Sequence, residues 1–501
     1  MSAMLIENGL VLTDSSSKPQ YCSLLIKDGR FVSLLPPGTE VADAQVMDAT
    51  DMLIHPGLVN GHMHAHTTLT KGMADRWSLE ILLAAGMGIY GAMSSEDLYA
   101  SAAIGAIELV GKGCTTVYDM CLQAPLPSPE GIGAVAKAYS DIGMRAVIAP
   151  MVSDINFFDA TPGLLEAMPK EIQQALSLRR PLPFERSLAA MSTILKEWSY
   201  PSDKIKLALA PTIPLHCSDD FLIACKKQAD DFGVGMQCHL QESKVQALAG
   251  LTRYGKTLTA HIDDLGLLGP NFVASHGVWL DDDDMARLGR AGASVCHNPG
   301  SNTILGSGLA DMRGMLNHGV NVAIGTDGAN CSDNLNMYES MRMAARVSHV
   351  RTPEISEWIS AQEIFYAATE GGARAAGMSD IGRIAVGFKA DLVMIDLSHI
   401  NWIPTNDVLV QLVQSEDGNA VHSVMIDGKW VVRNREVVNM QPKSLRNHSQ
   451  ETIARLLALA VENGNSDLYK RLAPIVTCFC PALMHQPYRV ERFGSVFTKT
   501  K

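Results

Sequence analysis

The stretch Asn60-Gly61-His62-Met63-His64-Ala65-His66 decides how this chain is interpreted. It follows the apolar run 52–59, which predicts a β-strand that presents histidines at its carboxyl end. Because alternate residues of a strand share one face, His62 and His64 can bind the same metal ion, with His66 a further candidate on the loop. A His-x-His pair also arises by chance in a chain with 15 histidines. The metal-site hypothesis therefore requires further ligand residues later in the chain.

Composition and charge exclude several classes of protein. The chain has 501 residues, is 47% hydrophobic and 19% charged, and carries a net charge of −12. These values are typical of a soluble globular protein, and we expect no membrane span. The negative charge argues against binding to nucleic acid or anionic lipid and leaves small uncharged or cationic substrates. Residues 1–9 do not resemble a secretory signal, and the ten scattered cysteines are expected to be reduced thiols, so we expect a cytoplasmic protein.

From residue 59 to residue 385, short β-rich runs alternate with amphipathic helical stretches. This pattern is typical of βα units around a parallel sheet. Eight units in this length predict an α/β fold, a (β/α)8 TIM-like barrel whose chemistry lies at the carboxyl ends of the strands. The predicted strands end near Val59 and at 115–119, 145–150, 206–211, 234–239, 272–276, 293–297 and 322–327.

Both chain ends supply further short strands, at 4–13, 22–34 and 44–54 and again at 390–397 and 421–438. They predict a small β-sandwich domain built from both ends. The predicted domains are 1–58 with 386–440 (the β-sandwich), 59–385 (the barrel), and 441–501 (a C-terminal helical extension with a helix near 451–462 and a Pro-rich tail).

Two segments allow alternative interpretations. Residues 153–203 are too long for an ordinary connection, and an irregular loop at 157–163 precedes helical stretches. This segment is either a lid over the active site or a plain helical excursion. The run Asp281-Asp282-Asp283-Asp284 predicts the start of a helix rather than a calcium site, because carboxylates in the first turn complement the helix dipole.

The predicted strand ends bring together His62, His64, His239 and Asp327. Nitrogen and oxygen ligands of this kind suit zinc or ferrous iron with an open position for water. A bound metal lowers the pKa of such a water toward ~7, so that hydroxide is available at neutral pH.

Two further residues complete the predicted chemistry. Glu242 lies three residues after His239 and can pass a proton to the substrate. Asp327 can take the proton from the water, and His276, at the end of the sixth predicted strand, can hold or polarise the attacked centre. We therefore predict Glu242, His276 and Asp327 as catalytic residues.

The chain resembles the amidohydrolase superfamily, in particular its branch of cytosine deaminases, methylthioadenosine/S-adenosylhomocysteine deaminases and triazine hydrolases. The resemblance covers about residues 5–440. It implies one divalent metal at the four predicted ligands, Glu242 and His276 as proton shuttle and activator, and a homodimer. The matching motifs are Pro56-Gly57-Leu58-Val59-Asn60-Gly61-His62-Met63-His64, Gly113-Cys114-Thr115-Thr116-Val117-Tyr118-Asp119-Met120, His239-Leu240-Gln241-Glu242, Ser275-His276-Gly277, His297-Asn298-Pro299-Gly300-Ser301-Asn302, Gly325-Thr326-Asp327-Gly328 and Gly387-Phe388-Lys389-Ala390-Asp391-Leu392-Val393.

Departures from the family pattern narrow these expectations. The fourth strand ends in Ala210-Pro211-Thr212, where members with two metals carry a carboxylated lysine, so the resemblance favours a single ion, zinc or else iron. Methylthioadenosine-type deaminases place a substrate-touching histidine where this chain has Thr212, which disfavours nucleosides. The loop after the first strand, with His66, Lys71, Asp75 and Trp77, varies with substrate among relatives. The candidate substrate contacts are His66, Trp77, Thr212, His297 and Asn302.

The leading hypothesis is a metal-dependent hydrolase that uses metal-bound hydroxide to deaminate an amino-substituted nitrogen heterocycle of the purine, pterin, pyrimidine or triazine type. Its partner would be a small molecule, with no nucleic acid and no membrane. One alternative is hydrolysis of an amide, urea or carbamate C–N bond, or hydrolytic dechlorination, by the same site. Another is a non-catalytic assembly protein that retains the fold.

Overall fold

The structure is a computed structural model that describes residues 3–73, 75–86, 88–332 and 334–493. The outermost residues of the predicted sandwich domain and of the predicted C-terminal extension, 1–2 and 494–501, lie outside the described residues. The strands are β1 Met4–Val11, β2 Gln20–Lys27, β3 Arg30–Leu35, β4 Gln45–Asp48, β5 Met52–Pro56, β6 Leu58–Met63, β7 Cys114–Asp119, β8 Arg145–Ile148, β9 Met151–Val152, β10 Ile205–Pro211, β11 Gly235–Leu240, β12 Phe272–His276, β13 Ser294–His297, β14 Asn321–Ile324, β15 Leu392–Asp396, β16 Val421–Ile426, β17 Lys429–Arg433 and β18 Glu436–Val437.

Helices occupy much of the sequence between these strands. Short 3-10 helices lie at Ala65–Thr70, Tyr90–Ala92, Pro214–His216, Ile355–Glu357 and Ile400–Trp402. The α-helices are α1 Leu79–Gly86, α2 Ser95–Gly111, α3 Pro129–Ile142, α4 Phe157–Ala160, α5 Lys170–Ser177, α6 Phe184–Glu197, α7 Asp219–Phe232, α8 Lys244–Tyr254, α9 Leu258–Asp264, α10 Asp282–Ala291, α11 Pro299–Ile304, α12 Met312–Asn317, α13 Met337–Arg351, α14 Ala361–Ala368, α15 Glu370–Ala375, α16 Val408–Gln414, α17 Pro442–Glu462 and α18 Asn465–Met484.

A parallel sheet forms the barrel, which confirms the predicted fold class. In the described chain its order is β6-β7-β8-β10-β11-β12-β13-β14, with β9 added beside β10. These strands match the eight runs predicted from the sequence. At the carboxyl end, the Asp327 amide donates a hydrogen bond to the His62 carbonyl at 3.0 Å, so the segment after β14 meets β6 and the sheet nearly closes.

A second sheet combines both chain ends, as the sequence predicts for the β-sandwich. Its order is β3-β2-β1-β5-β15-β16-β17-β18, and β4 pairs with β1. Strands β5 and β15 join the two halves in antiparallel register, with His55 opposite Val393. Buried side chains from both ends share one apolar core, among them Ile6, Phe31 and Met425.

The single strand predicted over 52–59 is wrong, because the chain breaks at Gly57 into β5 and β6, which belong to different sheets. A Cβ atom on Gly57 would lie 2.2 Å from the Thr115 hydroxyl oxygen. Glycine therefore permits a close approach that another residue would block. Local hydrophobicity cannot reveal this step between sheets.

The segment 153–203 contains the helices α4, α5 and α6. The irregular loop predicted at 157–163 is wrong in its first half, since Asn156 caps α4 by accepting hydrogen bonds from the amides of Phe158 and Asp159.

The predicted helix start at the Asp run is confirmed: Asp281 and Asp284 form a capping box at α10.

The C-terminal segment departs from the prediction in one respect. The expected helix is present as α17, but the predicted Pro-rich tail contains α18, which accommodates Pro474 and Pro481 within it. Its buried residues Leu468, Leu472, Val476 and Cys480 recur every four residues. Packing of this apolar stripe outweighs the loss of backbone hydrogen bonds at the two prolines.

None of the helices in the described ranges is long and apolar enough to cross a membrane.

Candidate active site

The four predicted metal-binding side chains converge at the carboxyl end of the barrel. His62 and His64 lie at the end of β6, His239 lies in β11, and Asp327 follows β14. Asp327 Oδ1 lies 3.5 Å from His62 Nε2 and 3.4 Å from His64 Nε2, and the Nε2 atoms of His64 and His239 are 3.1 Å apart. The structure therefore brings nitrogen and oxygen donors from three strands to one point.

Hydrogen bonds at the other ring nitrogen orient two of these imidazoles. His64 Nδ1 lies 2.7 Å from the Met120 carbonyl oxygen, and His239 Nδ1 lies 2.6 Å from that of Thr212. Because a carbonyl oxygen can only accept, each Nδ1 carries the proton and each Nε2 presents a lone pair. Burial lowers the pKa of His64 to about 4 and that of His239 well below its usual value, so both rings are neutral at pH 7.

The third imidazole is oriented by Gln237, which the sequence analysis missed. Gln237 donates through Nε2 to the Gly61 carbonyl at 2.9 Å, and this bond fixes the amide so that its Oε1 faces His62. His62 Nδ1 lies 3.0 Å from that oxygen. The signal available in the sequence was position: Gln237 lies two residues before His239, on the same face of β11.

The donor set fits a divalent metal. His62 Nε2 is buried and has no hydrogen-bond partner among the described residues, an arrangement that costs about 1–3 kcal/mol unless a ligand satisfies it. Ligand atoms of His62, His64 and His239 all lie within 4.8 Å of one another. Burial alone would raise the pKa of Asp327, but the close approach of His62, 3.5 Å from Asp327 Oδ1, and the neighbouring histidines hold it well below its usual value. Three imidazoles and one carboxylate suit zinc.

Glu242 places a buried carboxyl group beside this set. Its side chain is buried, and Glu242 Oε2 lies 3.7 Å from His276 Nε2. Burial raises the pKa of Glu242 well above its usual value, and the nearby charges of Asp327 and Glu80 raise it further. Glu80 accepts a 2.7 Å hydrogen bond from the Ser243 hydroxyl, so a second buried carboxyl lies beside the Glu242 loop.

A hydrogen bond with Asn302, which lies outside the described cavity lining, orients the His276 ring. Its Nδ1 lies 2.9 Å from Asn302 Oδ1, so Nδ1 carries the proton. Nε2, which has no hydrogen-bond partner in the part of the chain that the structure describes, is an acceptor. Burial lowers the pKa of His276 to about 4. Its backbone has φ +73°, and that of Asp327 has φ +63°. Such left-handed conformations cost roughly 1–3 kcal/mol each and concentrate at functional sites.

The loop that carries Glu242 is anchored by the buried amide of Gln241. Gln241 Nε2 donates to the Trp279 carbonyl at 2.7 Å and to the Tyr488 hydroxyl at 3.3 Å. Its Oε1 accepts from the Thr259 hydroxyl at 2.7 Å. The C-terminal segment thus contacts the loop that carries Glu242 through Tyr488, a contact that the sequence analysis did not predict.

A cavity of about 200 Å³ opens beside the predicted metal ligands. Glu242, His276 and Asp327 line one end of it. Much of the remaining wall consists of residues that carried no catalytic signal in the sequence and were missed there: Leu79, Leu82, Leu83, Tyr90, Leu122, Met151, Ile213, Leu305, Asn330 and Cys331.

The predicted substrate contacts divide into two groups. His66 and Thr212 line the cavity, whereas Trp77, His297 and Asn302 are absent from its described lining. Trp77 instead lies against Tyr469 of α18, with 6.1 Å between the ring centroids. His297 is fully buried, and burial lowers its pKa to about 4.

His66 differs in its tautomer from the three histidines that are predicted metal ligands. The Leu122 amide donates to His66 Nδ1 at 3.1 Å, so the proton of a neutral ring lies on Nε2. Burial lowers the pKa of His66 well below its usual value, which keeps the ring neutral. His66 therefore offers a hydrogen-bond donor, not a metal ligand.

Comparison with known proteins agrees with this geometry. The sequence profile of the amidohydrolase family matches residues 53–431. The chain is 31% identical over 461 residues to a 5'-deoxyadenosine deaminase of Methanosarcina barkeri, covering 91% of this chain and 99% of that protein. It is 32% identical over 433 residues to a 5-methylthioadenosine/S-adenosylhomocysteine deaminase of Thermococcus sibiricus, covering 86% and 94%.

Solved structures share the fold. An adenosine deaminase from Xanthomonas campestris with bound zinc superposes with a TM-score of 0.79 at 26% identity, covering 91% of this chain and 98% of that one. An atrazine chlorohydrolase from Arthrobacter aurescens complexed with zinc has a TM-score of 0.80 at 22% identity, covering 90% and 100%, and its likeness concerns the fold alone. The profile match and the relatives above 30% identity lead to one conclusion: the chain belongs to the amidohydrolase family.

Proposed function

We propose that this hydrolase of carbon–nitrogen bonds holds one zinc ion and deaminates an amino-substituted nitrogen heterocycle, with purines as the first class to test. The observation that carries the proposal is Glu242, a buried carboxyl whose pKa is raised well above its usual value beside three histidines and Asp327. Loss of an amino group requires protonation of the ring or of the leaving amine, whereas chloride departs without it. The deaminase relatives support this choice.

His62, His64, His239 and Asp327 would hold the metal. When bound, zinc would lower the pKa of a coordinated water so that a nucleophile is available at neutral pH. The zinc-bound adenosine deaminase with the same fold supports zinc. The end of β10 carries Thr212 in place of a lysine, which supports a single ion.

The residues of the chain account for each proton in the reaction. As the oxygen of water bonds to the ring carbon, His276 Nε2 accepts a hydrogen bond from the water and Asp327 accepts its proton. Glu242 donates a proton to the ring nitrogen. The carbon–nitrogen bond then breaks as the proton held by Asp327 passes to the leaving amine. The remaining hydroxyl proton returns to the Glu242 carboxylate, so that ammonia and a ring carbonyl result and Glu242 is protonated again.

A panel of aminated purines, pterins, pyrimidines and triazines tests the function. Zinc-loaded protein should release ammonia from at least one of them, and mass spectrometry should find a product in which OH replaces NH₂. Silence across the panel with metal content verified would contradict deamination. Cleavage into two fragments would favour amide, urea or carbamate hydrolysis, and chloride release from chlorotriazines would favour dechlorination.

We also propose that the enzyme is a cytoplasmic homodimer. All ten cysteines are free thiols, which supports a reducing compartment. Light scattering coupled to gel filtration tests the assembly: a mass of twice 54.0 kDa is expected, and a mass of one chain would contradict it.

A further inference from the structure

We propose that the substrate is an uncharged heterocycle with an apolar substituent, and that this substituent lies against α1 in the cavity. The inference rests on the proposed deaminase function for the position of the ring. It goes further by assigning the chemistry of the part of the substrate that does not react. None of the site residues predicted from the sequence lies on α1.

One part of the cavity wall is apolar. Helix α1 contributes Leu79, Leu82 and Leu83 to the cavity, and the loops after β13 and β14 contribute Leu305 and Cys331. These side chains form one hydrophobic cluster in which Leu79, Leu305 and Cys331 are buried. Burial of apolar substrate atoms against such a wall is favourable, and the gain increases with the area removed from water.

Away from Glu242 and Asp327, the described lining of the same cavity offers no ion-pair partner for a charged substituent. Among the described lining residues, the carboxylates are Glu242 and Asp327, both at the catalytic end, and there is no lysine or arginine. A carboxylate or ammonium group placed along α1 would lose its hydration without gaining an ion pair. The arrangement therefore selects against ionic tails.

Two polar side chains of the cavity, Thr67 and Asn330, already have partners within the protein. The Thr67 hydroxyl donates to the His64 carbonyl at 2.8 Å, and Asn330 Nδ2 donates to the Tyr90 hydroxyl at 2.8 Å. A polar substituent would have to compete with these bonds. An alkyl, aryl or thioether group would leave them intact.

The wall is supported from behind by the C-terminal segment. Ala84 of α1 is buried in one cluster with Leu472 and Val476 of α18 and with Phe158 of α4. Helix α1 is thus packed on both faces, with the cavity on one side and α18 on the other. A wall held in this way retains its shape before binding, which reduces the entropy lost when substrate binds.

Two matched substrate series test the inference. The probes are 9-methyladenine, 9-propyladenine and 9-(3-carboxypropyl)adenine, and melamine carrying the same three substituents on one amino group. We expect kcat/KM for ammonia release to rise about fourfold per added methylene group, about fifteenfold from methyl to propyl. The value of kcat/KM for the carboxypropyl compound should be lower than that for the methyl compound. Titration calorimetry on zinc-loaded Glu242→Gln protein measures binding affinity without turnover, and the affinities should follow the same order of substituents.

Variants localise the effect to α1. Leu82→Asn should reduce the propyl-to-methyl ratio to less than about fivefold, because a polar side chain of similar size replaces part of the wall. Leu178→Asn makes the same change at an 83% exposed position outside the cavity, and it should keep the ratio of the unmodified protein.

The outcomes separate this inference from the proposed function. Equal efficiency for methyl and propyl compounds, or tighter binding of the carboxypropyl compounds, overturns the inference and leaves the deaminase function standing. Binding in the expected order without ammonia release overturns the deaminase function alone. Failure of both series to bind contradicts the inference.

Discussion

Replacing Glu242 by glutamine tests the proton donor at the centre of the proposed reaction. Glutamine keeps the length and planarity of the side chain, so the buried site is filled as before, but it cannot deliver the proton of a carboxylic acid. General acid–base groups contribute about 100- to 10,000-fold to rate, equivalent to about 2.7–5.5 kcal/mol of barrier. We expect kcat for ammonia release to fall within this range. KM should change little, since Glu242 lies at the reacting end of the cavity.

The assay couples ammonia release to metal analysis of the same protein sample. Glu242→Gln should keep its metal content, because the four proposed ligands are unchanged. Glu171→Gln, the same substitution at an exposed position of α5, should retain full activity and controls for the loss of one acidic group. A variant at position 242 with full metal content and a kcat within tenfold of the unmodified protein would refute the assignment of Glu242 as proton donor.

Three further predictions concern stability. Arg145→Met should lower the free energy of unfolding by about 3–5 kcal/mol, because Arg145 Nη2 lies 2.7 Å from Asp427 and 3.2 Å from Asp391 in a buried cluster between the barrel and the sandwich. Lys226→Met, which removes an exposed ion pair, should lower the free energy of unfolding by less than about 1 kcal/mol. Equal losses for the two variants in denaturant titrations would contradict this prediction. Burial lowers the pKa of His55 to about 4, so the folded state binds fewer protons than the unfolded state between pH 6.5 and 4, and stability falls by about 3 kcal/mol as pH drops through that window. His55→Gln should remove this part of the pH slope in denaturant titrations, and identical slopes would exclude His55 as its source. Removal of zinc by a chelator should lower the melting temperature. Adding zinc back at about 1,000 times its dissociation constant should raise the free energy of unfolding by about 4 kcal/mol. Unfolding curves that are the same with and without zinc would contradict the metal site.

Local patterns in the sequence were enough to predict the barrel strands and the convergence of His62, His64, His239 and Asp327. Parallel strands of a barrel end on the same face, so residues at successive strand ends must approach one another even when they are far apart in sequence. The observed distances between His62, His64, His239 and Asp327 follow from that rule. The catalytic and metal-binding roles of these residues stay predictions.

Other features could not be predicted from local patterns. The break at Gly57 depends on the approach of Thr115 from another strand. Helix α18 forms despite Pro474 and Pro481 because its apolar stripe packs against α1. In both cases the deciding contact joins segments that are distant in sequence.

The sequence by itself determined the fold class and which polar side chains reach the carboxyl face of the barrel. The alternation of β-rich and helical segments is visible in the linear sequence, and it implies parallel strands that all end on the same face. Tertiary structure alone decided which nitrogen of each histidine faces the metal-binding point, through partners such as Gln237 and Asn302. It also decided that Trp77 lies against α18 while leucines of α1 line the cavity. Those outcomes depend on packing between distant segments, and a linear pattern does not record which segments will meet.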